Sequence, residues 1–368
     1  MEVARGDGAA CEVALRRFAR LEPGGERVLV ASRRAAGVLE PLQAAALFGE
    51  LAGRFPAVAT GLRVEEVFAL LDAGDVERAE RLLSGFDPKL LERSDVREAA
   101  FFVGEAHFDR GALEAAAASY AKALGGQPGS GELRERALYK LAFTAMARND
   151  WASTGSTARN LLEEFPGSSF GGEVAFLLGE SEFKLGRFAS AAKVLQAARR
   201  DHPKHEVLPK VLFRLGLAHA REKEWAGAIE ALESLNRRDP EFAGLAEADL
   251  ERGLALAELG RTRDARAALT QVGARTRGDL HARAQLALGD LDRAAGDLEA
   301  ALATYLKVSV LFEGRESGAD GTFRAAGVLE SQSEFDAAKA RYREVLKTYP
   351  ESSFAASATQ RLRALGDR

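Results

Sequence analysis

The chain has 368 residues, 46% hydrophobic and 29% charged, which is enough apolar matter for a substantial core and argues against general disorder. Its formal net charge of −4 supplies no global field for nucleic acid, and its single cysteine, Cys11, excludes an intrachain disulfide or a cysteine-based zinc site. No apolar stretch approaches the ~18 residues of a membrane helix, and no basic-then-apolar signal region opens the chain.

In chain order, the first expected element is "AACEVALRRFARLEP" (9–23), a helix with apolar residues at i, i+3, i+4 and i+7, preceded by a break at Gly6 and closed by Pro23. Prolines then punctuate the chain at Pro56, Pro88, Pro128, Pro166, Pro203 and Pro240, with steps of 32 to 40 residues, and again at Pro350, three steps further on. Pro41 and Pro209 lie off this ladder and suit the first turn of a helix.

Between prolines one grammar recurs. An apolar-small pair (Val103-Gly104, Leu141-Ala142, Leu178-Gly179, Leu215-Gly216, Leu288-Gly289) is followed seven residues later by a break such as Gly111, Asn149, Gly186 or Gly296. Five residues beyond the break stands a small residue: Ala116, Thr154, Ala191, Ala228 or Ala301. Each half carries helical spacing, and almost nothing alternates with period two. Two antiparallel helices approach closely only where both offer small side chains; Gly suits the open backbone ending the first, and Pro follows the second because it cannot continue it. One such pair cannot bury both its faces, so it must stack on copies of itself.

The order of these residues resembles the tetratricopeptide repeat, which residues 97–128 match at Gly104, Gly111, Ala116, Tyr120, Ala123, Leu124 and Pro128. The resemblance implies an all-α, right-handed superhelical solenoid of about nine helical hairpins over 1–368, with no compact second domain. A partial first repeat spans 1–23. Full repeats fall at 25–56, 60–91, 97–128, 135–166, 172–203, 209–240, 246–277, 282–313 and 319–350, and a capping helix occupies 351–366. Two repeats depart from the pattern: 60–91 in its first helix, and 246–277, which lacks the proline and has Arg252 at an apolar position. "GRESGADG" (314–321) is expected to be a flexible loop. The endings "EFPGSS" (164–169) and "TYPESSFAASATQRLRAL" (348–365) resemble a subgroup found in bacterial envelope proteins, such as the Tol-Pal accessory protein and the outer-membrane assembly lipoprotein.

No catalytic constellation emerges, and no cofactor is implied. His202 and His205 in "DHPKHE" have Asp201 and Glu206 beside them but sit at a helix end split by Pro203, with no common face on which to hold a metal. His107 and His219 take a position where packing serves better than chemistry. "GGQPGSGE" (125–132) lacks the Lys-Ser/Thr of a phosphate loop and reads as a linker. Cys11 reads as a buried thiol, and Trp151, Phe188, Trp225 and Phe335, each two residues past a break, read as core at the hairpin corner.

By the resemblance, the first helix of each hairpin lines an inner, concave surface, where its fifth, ninth and twelfth positions share a stripe. Those positions hold Phe101, Glu105 and Phe108; Tyr139, Phe143 and Met146; Phe176, Glu180 and Phe183; then Phe213 and Leu217. Either the aromatics pack beneath the neighbouring hairpin, or they form a groove for an extended or helical partner segment. The carboxylate clamp of chaperone-binding relatives needs Asn at the ninth position, and none of Arg33, Phe68, Glu105, Phe143, Glu180, Leu217, Leu254, Asp290 and Gly327 is Asn.

The function these features imply is a non-enzymatic scaffold or adaptor for a protein or peptide partner, with no nucleic-acid binding and no membrane insertion by this chain. It would act in the periplasm or cell envelope if an upstream signal is missing. The alternatives are a cytoplasmic regulatory module and the non-catalytic arm of a larger enzyme. Counting a repeat back from Pro23 runs past Met1, leaving Val13, Leu15, Phe18 and Leu21 without a covering helix. Either residues are missing upstream, or the N-terminal helix is covered by self-association.

Overall fold

The computed structural model describes residues 7–22, 24–125 and 131–366; Gly6, Pro23, Pro128 and most of the 125–132 linker lie outside them. Twenty α-helices and two short 3-10 turns account for the regular structure, with no strand among the described residues. The chain divides into two units, 1–185 and 186–368. The first holds α1 (Gly8–Leu21), the pairs α2/α3 (Gly25–Ala36, Pro41–Arg54), α4/α5 (Ala59–Asp72, Val76–Ser84), α6/α7 (Ser94–Asp109, Leu113–Ala123) and α8/α9 (Glu132–Ala147, Trp151–Glu164), then α10 (Gly171–Lys184). The second begins with α11 (Phe188–Asp201) and continues with α12/α13 (Leu208–Arg221, Trp225–Arg238), α14/α15 (Leu245–Glu258, Thr262–Arg275), α16/α17 (Asp279–Ala294, Leu298–Leu311) and α18/α19 (Glu316–Ser331, Phe335–Thr348) before α20 (Ala355–Ala364). Within each unit the first helices of successive pairs touch one another, as do each second helix and the next first helix, so first helices form one layer and second helices the other.

Turn and stop signals lie where the repeat places them. Gly74, Gly111, Asn149, Gly186, Lys223, Gly260, Gly296 and Ser333 all stand at the same repeat position, with φ between 58° and 83°. The residues before four of the repeat prolines have left the helical region: Phe165, His202, Asp239 and Tyr349 have φ from −125° to −143° with positive ψ, because the proline ring disfavours the helical conformation behind it. Pro41 and Pro209 occupy the first turns of α3 and α12.

The small-residue contact is visible atom by atom. A Cβ on Gly104 would lie 2.8 Å from the Tyr120 ring, on Gly216 2.5 Å from Leu232, on Gly253 2.7 Å from Leu269 and on Gly289 2.5 Å from Tyr305. The partner is always 16 residues on, across the hairpin. Ala116, Thr154, Ala191, Ala228, Ala265, Ala301 and Ala338, five residues past their breaks, are all fully buried.

Four expectations are corrected. The loop expected at 314–321 is mostly the first turn and a half of α18, where Gly318 and Gly321 are buried and must be small, because a Cβ there would strike the Phe312 and Tyr305 carbonyl oxygens at 2.4 and 2.8 Å. Residues 246–277 form a regular pair: Arg252 at the apolar position is held by Asp249 at 2.9 Å, and Arg275 reaches the same carboxylate at 2.8 Å. Phe335 is 48% exposed, because α20 stops at Ala364, whereas the last turns of α10 and α14 reach over Trp151 and Trp225. In α1, Leu15 is fully buried with Cys11 against α2 and α3, and Phe18 packs beside them, so only Val13 and Leu21 stand bare.

Candidate functional site

In each first helix, positions 2, 6, 9 and 13 of the repeat lie one turn apart and share a stripe on the first-helix layer. In α4 that stripe is Gly61, Glu65, Phe68 and Asp72; in α6 it is Glu98, Phe102, Glu105 and Asp109; in α8 it is Arg136, Lys140, Phe143 and Ala147. Neighbouring stripes interlock by one rule: position 9 of a repeat meets position 6 of the next. Arg33 Nε bonds Glu65 Oε1 at 2.7 Å, Phe68 and Phe102 meet edge-on with centroids 5.9 Å apart, and Lys140 Nζ lies 2.8 Å from Glu105 Oε2. In the second unit Asp290 and Arg324 obey the same rule.

The paired charges are held from behind. Tyr120, fully buried, donates its hydroxyl to Glu105, and burial together with that carboxylate raises the phenol's pKa, so it stays a donor. Tyr305 donates to Asp290 at 2.7 Å and is raised for the same reasons. Deeper in the second unit, Arg221 and Arg283 converge on the buried Glu251, both at 3.4 Å.

The fifth-position aromatics fare differently. Tyr139 is stacked by Phe170 at 4.3 Å and 11°, Phe213 is met by Phe242 at 5.4 Å, and Phe323 by Phe354 at 5.5 Å. Each covering phenylalanine comes from the linker after the repeat's own second helix. Phe101 is fully buried against Tyr120, with Arg136 over its ring at 4.7 Å. At these positions packing accounts for the aromatic. Leu217 and Glu180 are also buried, and Met146, Phe176 and Phe183 are half-buried.

What remains at the surface of the first-helix face of the first unit is an aromatic patch of two ring clusters, one around Phe102 and one around Phe143, on either side of the Glu105–Lys140 pair. Phe102 is 40% and Phe143 36% exposed. Phe143 lies 6.0 Å from Phe108 and 6.3 Å from Tyr139, and Lys140 Nζ stands 5.6 Å over the Phe108 ring. Phe68 extends the patch through Phe102. The spacing therefore brings Glu105, Phe108, Tyr139 and Phe143 together, whereas Phe213 and Leu217 belong to the other unit. Phe102 escaped the fifth-ninth-twelfth reading. Its signal is the doubled "FF" at 101–102: on a helix two adjacent aromatics cannot both face the core, and the second falls on the stripe between Glu98 and Glu105.

As for metal chemistry at "DHPKHE", His205 Nδ1 accepts the Val207 N–H at 3.2 Å and Asp201 is engaged by Arg200, so neither side chain turns toward a shared centre.

Fold and surface together define a helical-pair repeat protein whose first-helix layer is tied by interlocking pairs and opens at one aromatic patch. One tetratricopeptide repeat family model matches residues 66–131, 176–241 and 250–314, and a second matches 136–168 and 321–352. The chain belongs to the tetratricopeptide repeat family. Among solved structures it is similar to PilW, described as a widely conserved type IV pilus biogenesis factor (17% identity, 62% of this chain and 100% of that one, TM-score 0.48). It is similar also to pilF of Pseudomonas aeruginosa (22% identity, 65% and 97%, TM-score 0.44) and to YrrB, described as having an unusual peptide-binding site (20%, 51% and 90%, TM-score 0.42). None of the curated proteins matches the chain.

Proposed function

We propose that this chain is a non-enzymatic scaffold that holds a segment of a protein partner against the first-helix face of residues 1–185, and that it does so within a bacterial envelope complex. Membership of a family whose proteins bind protein or peptide partners supports the first part. The observation that carries it is the exposure of Phe102 and Phe143, two large aromatic rings left in water on the first-helix face. The envelope assignment is supported by the repeat endings "EFPGSS" and "TYPESSFAASATQRLRAL".

Truncating exposed rings costs a fold little, whereas interface anchors commonly supply more than ~2 kcal/mol of binding. Capture of partners from the native cell by full-length chain is therefore expected to be lost in Phe102→Ala/Phe143→Ala, with the melting temperature nearly unchanged. If the double variant retains the same partners, or unfolds readily, the patch is not the binding surface. Fractionation of the native cell tests the compartment: recovery in the cytosol alone would overturn the envelope assignment.

A further inference from the structure

The charge on the patch is not balanced. The stripes of α4, α6 and α8 carry only two cations, and both are committed: Lys140 to Glu105 at 2.8 Å, and Arg136 to the face of Phe101. Glu65 is taken by Arg33. Three carboxylates on the same stripes, Asp72, Glu98 and Asp109, are exposed and make no ion pair or hydrogen bond among the described residues. Asp72 stands one turn beyond Phe68, Glu98 one turn before Phe102, and Asp109 one turn beyond Glu105. The aromatic rings are thus rimmed by uncompensated negative charge, and their π faces add to the preference for cations.

Resting on the groove reading above, we infer that the occupant is a partner segment in which Lys or Arg alternates with apolar side chains, the apolar ones covering Phe102 and Phe143 and the cations facing Asp72, Glu98 and Asp109. An acidic segment, such as a carboxylate-rich tail, meets like charge here.

The test uses full-length chain and three fluorescent peptides of about twelve residues, built on alternating Leu-Arg, Leu-Glu and Ser-Arg and read by anisotropy. The Leu-Arg peptide is expected to bind about tenfold or more tighter than either other peptide, and to weaken as NaCl rises from about 50 to 300 mM. The variant Asp72→Asn/Glu98→Gln/Asp109→Asn is expected to lose about fivefold or more in affinity for it while melting close to the parent, because these carboxylates make no ion pair or hydrogen bond among the described residues. Equal binding of Ser-Arg, tighter binding of Leu-Glu, or an unaffected triple variant overturns the inference. In those cases Phe102→Ala/Phe143→Ala distinguishes the two levels: continued loss of whichever peptide binds leaves the groove standing with a different occupant, and no loss removes the groove as well.

Discussion

Glu105 Oε2 and Lys140 Nζ lie 2.8 Å apart across the seam between two successive helical pairs, both side chains about one-quarter to one-third exposed. The contact is one instance of a position 9 to position 6 rule that also joins Arg33 to Glu65, Phe68 to Phe102 and Asp290 to Arg324. Because the rule accepts an ion pair of either polarity or an aromatic pair, it constrains stacking register without constraining residue type. A double-mutant cycle on Glu105→Ala and Lys140→Ala is expected to give a coupling of ~0.5–1.5 kcal/mol, raised above that of an ordinary surface pair by the Tyr120 hydroxyl that holds Glu105 in place. Additive single-variant effects in urea unfolding would contradict it.

The hairpin seams are expected to be intolerant of volume. Gly216→Ala sets a methyl where Leu232 atoms already stand at 2.5 Å, and Ala228→Leu inserts a side chain at a site with no exposure; each is expected to cost ~1–3 kcal/mol. Leu178→Ala, leaving a cavity, is expected to cost ~2–5 kcal/mol. Denaturant midpoints at the parent value in all three would mean the helix register is wrong.

Three hairpin corners hold non-glycine residues in the left-handed region; beside Asn149, a residue type that tolerates it, these are Lys223 at φ 60° and Ser333 at φ 64°. Their siblings at the same position are mostly glycines. Replacing either by Gly is expected to raise stability by ~0.5–1 kcal/mol, the relief of steric strain exceeding the extra freedom Gly brings to the unfolded chain. Gly111→Ala is expected to shift it the opposite way by a similar amount. Thermal melts of the three variants check both signs.

Asp249 is 2% exposed and is the common acceptor for Arg252 and Arg275. Asp249→Ala leaves a largely buried guanidinium, that of Arg252, without its counter-charge, and is expected to cost ~2–4 kcal/mol. Asp249→Ala/Arg252→Leu is expected to recover much of that loss, because position 252 is apolar in the repeat pattern. Failure of the second change to rescue would show that Arg275 is the partner that matters.

Burial, with Arg277 and Lys307 nearby, lowers the His281 pKa in the folded chain. A group whose folded pKa lies below its unfolded value adds stability above the unfolded value, near 6.5 for histidine, and that stability is lost as pH falls through the window below it. The melting temperature is therefore expected to drop between about pH 7 and pH 5 by more in the parent than in His281→Gln. Equal drops would assign the acid sensitivity elsewhere, for example to Glu164, whose pKa the Arg134 hydrogen bonds lower, and which loses stability only at more acidic pH.

Outside 314–321, the sequence alone determined the helices and the spacing of the repeats, because the signals that set them are local. A residue past each first helix must turn left-handed, a proline cannot extend the second, and a glycine or alanine must stand where backbones approach. Those requirements recur every 37 residues or so, and each repetition confirms the others. Tertiary structure alone decided which aromatics belong to the core. Phe101 and Phe102 are neighbours in the chain with the same chemistry, yet one is sealed against Tyr120 and the other stands in water. Tyr139, Phe213 and Phe323 look like groove residues until Phe170, Phe242 and Phe354 fold over them from linkers some thirty residues away. Gly318 and Gly321 read as a loop because their reason for being small is the backbone of α17, which no local pattern contains. Burial is a property of what lands on a residue, and that depends on long-range packing, whereas helix boundaries depend on the residue and its near neighbours.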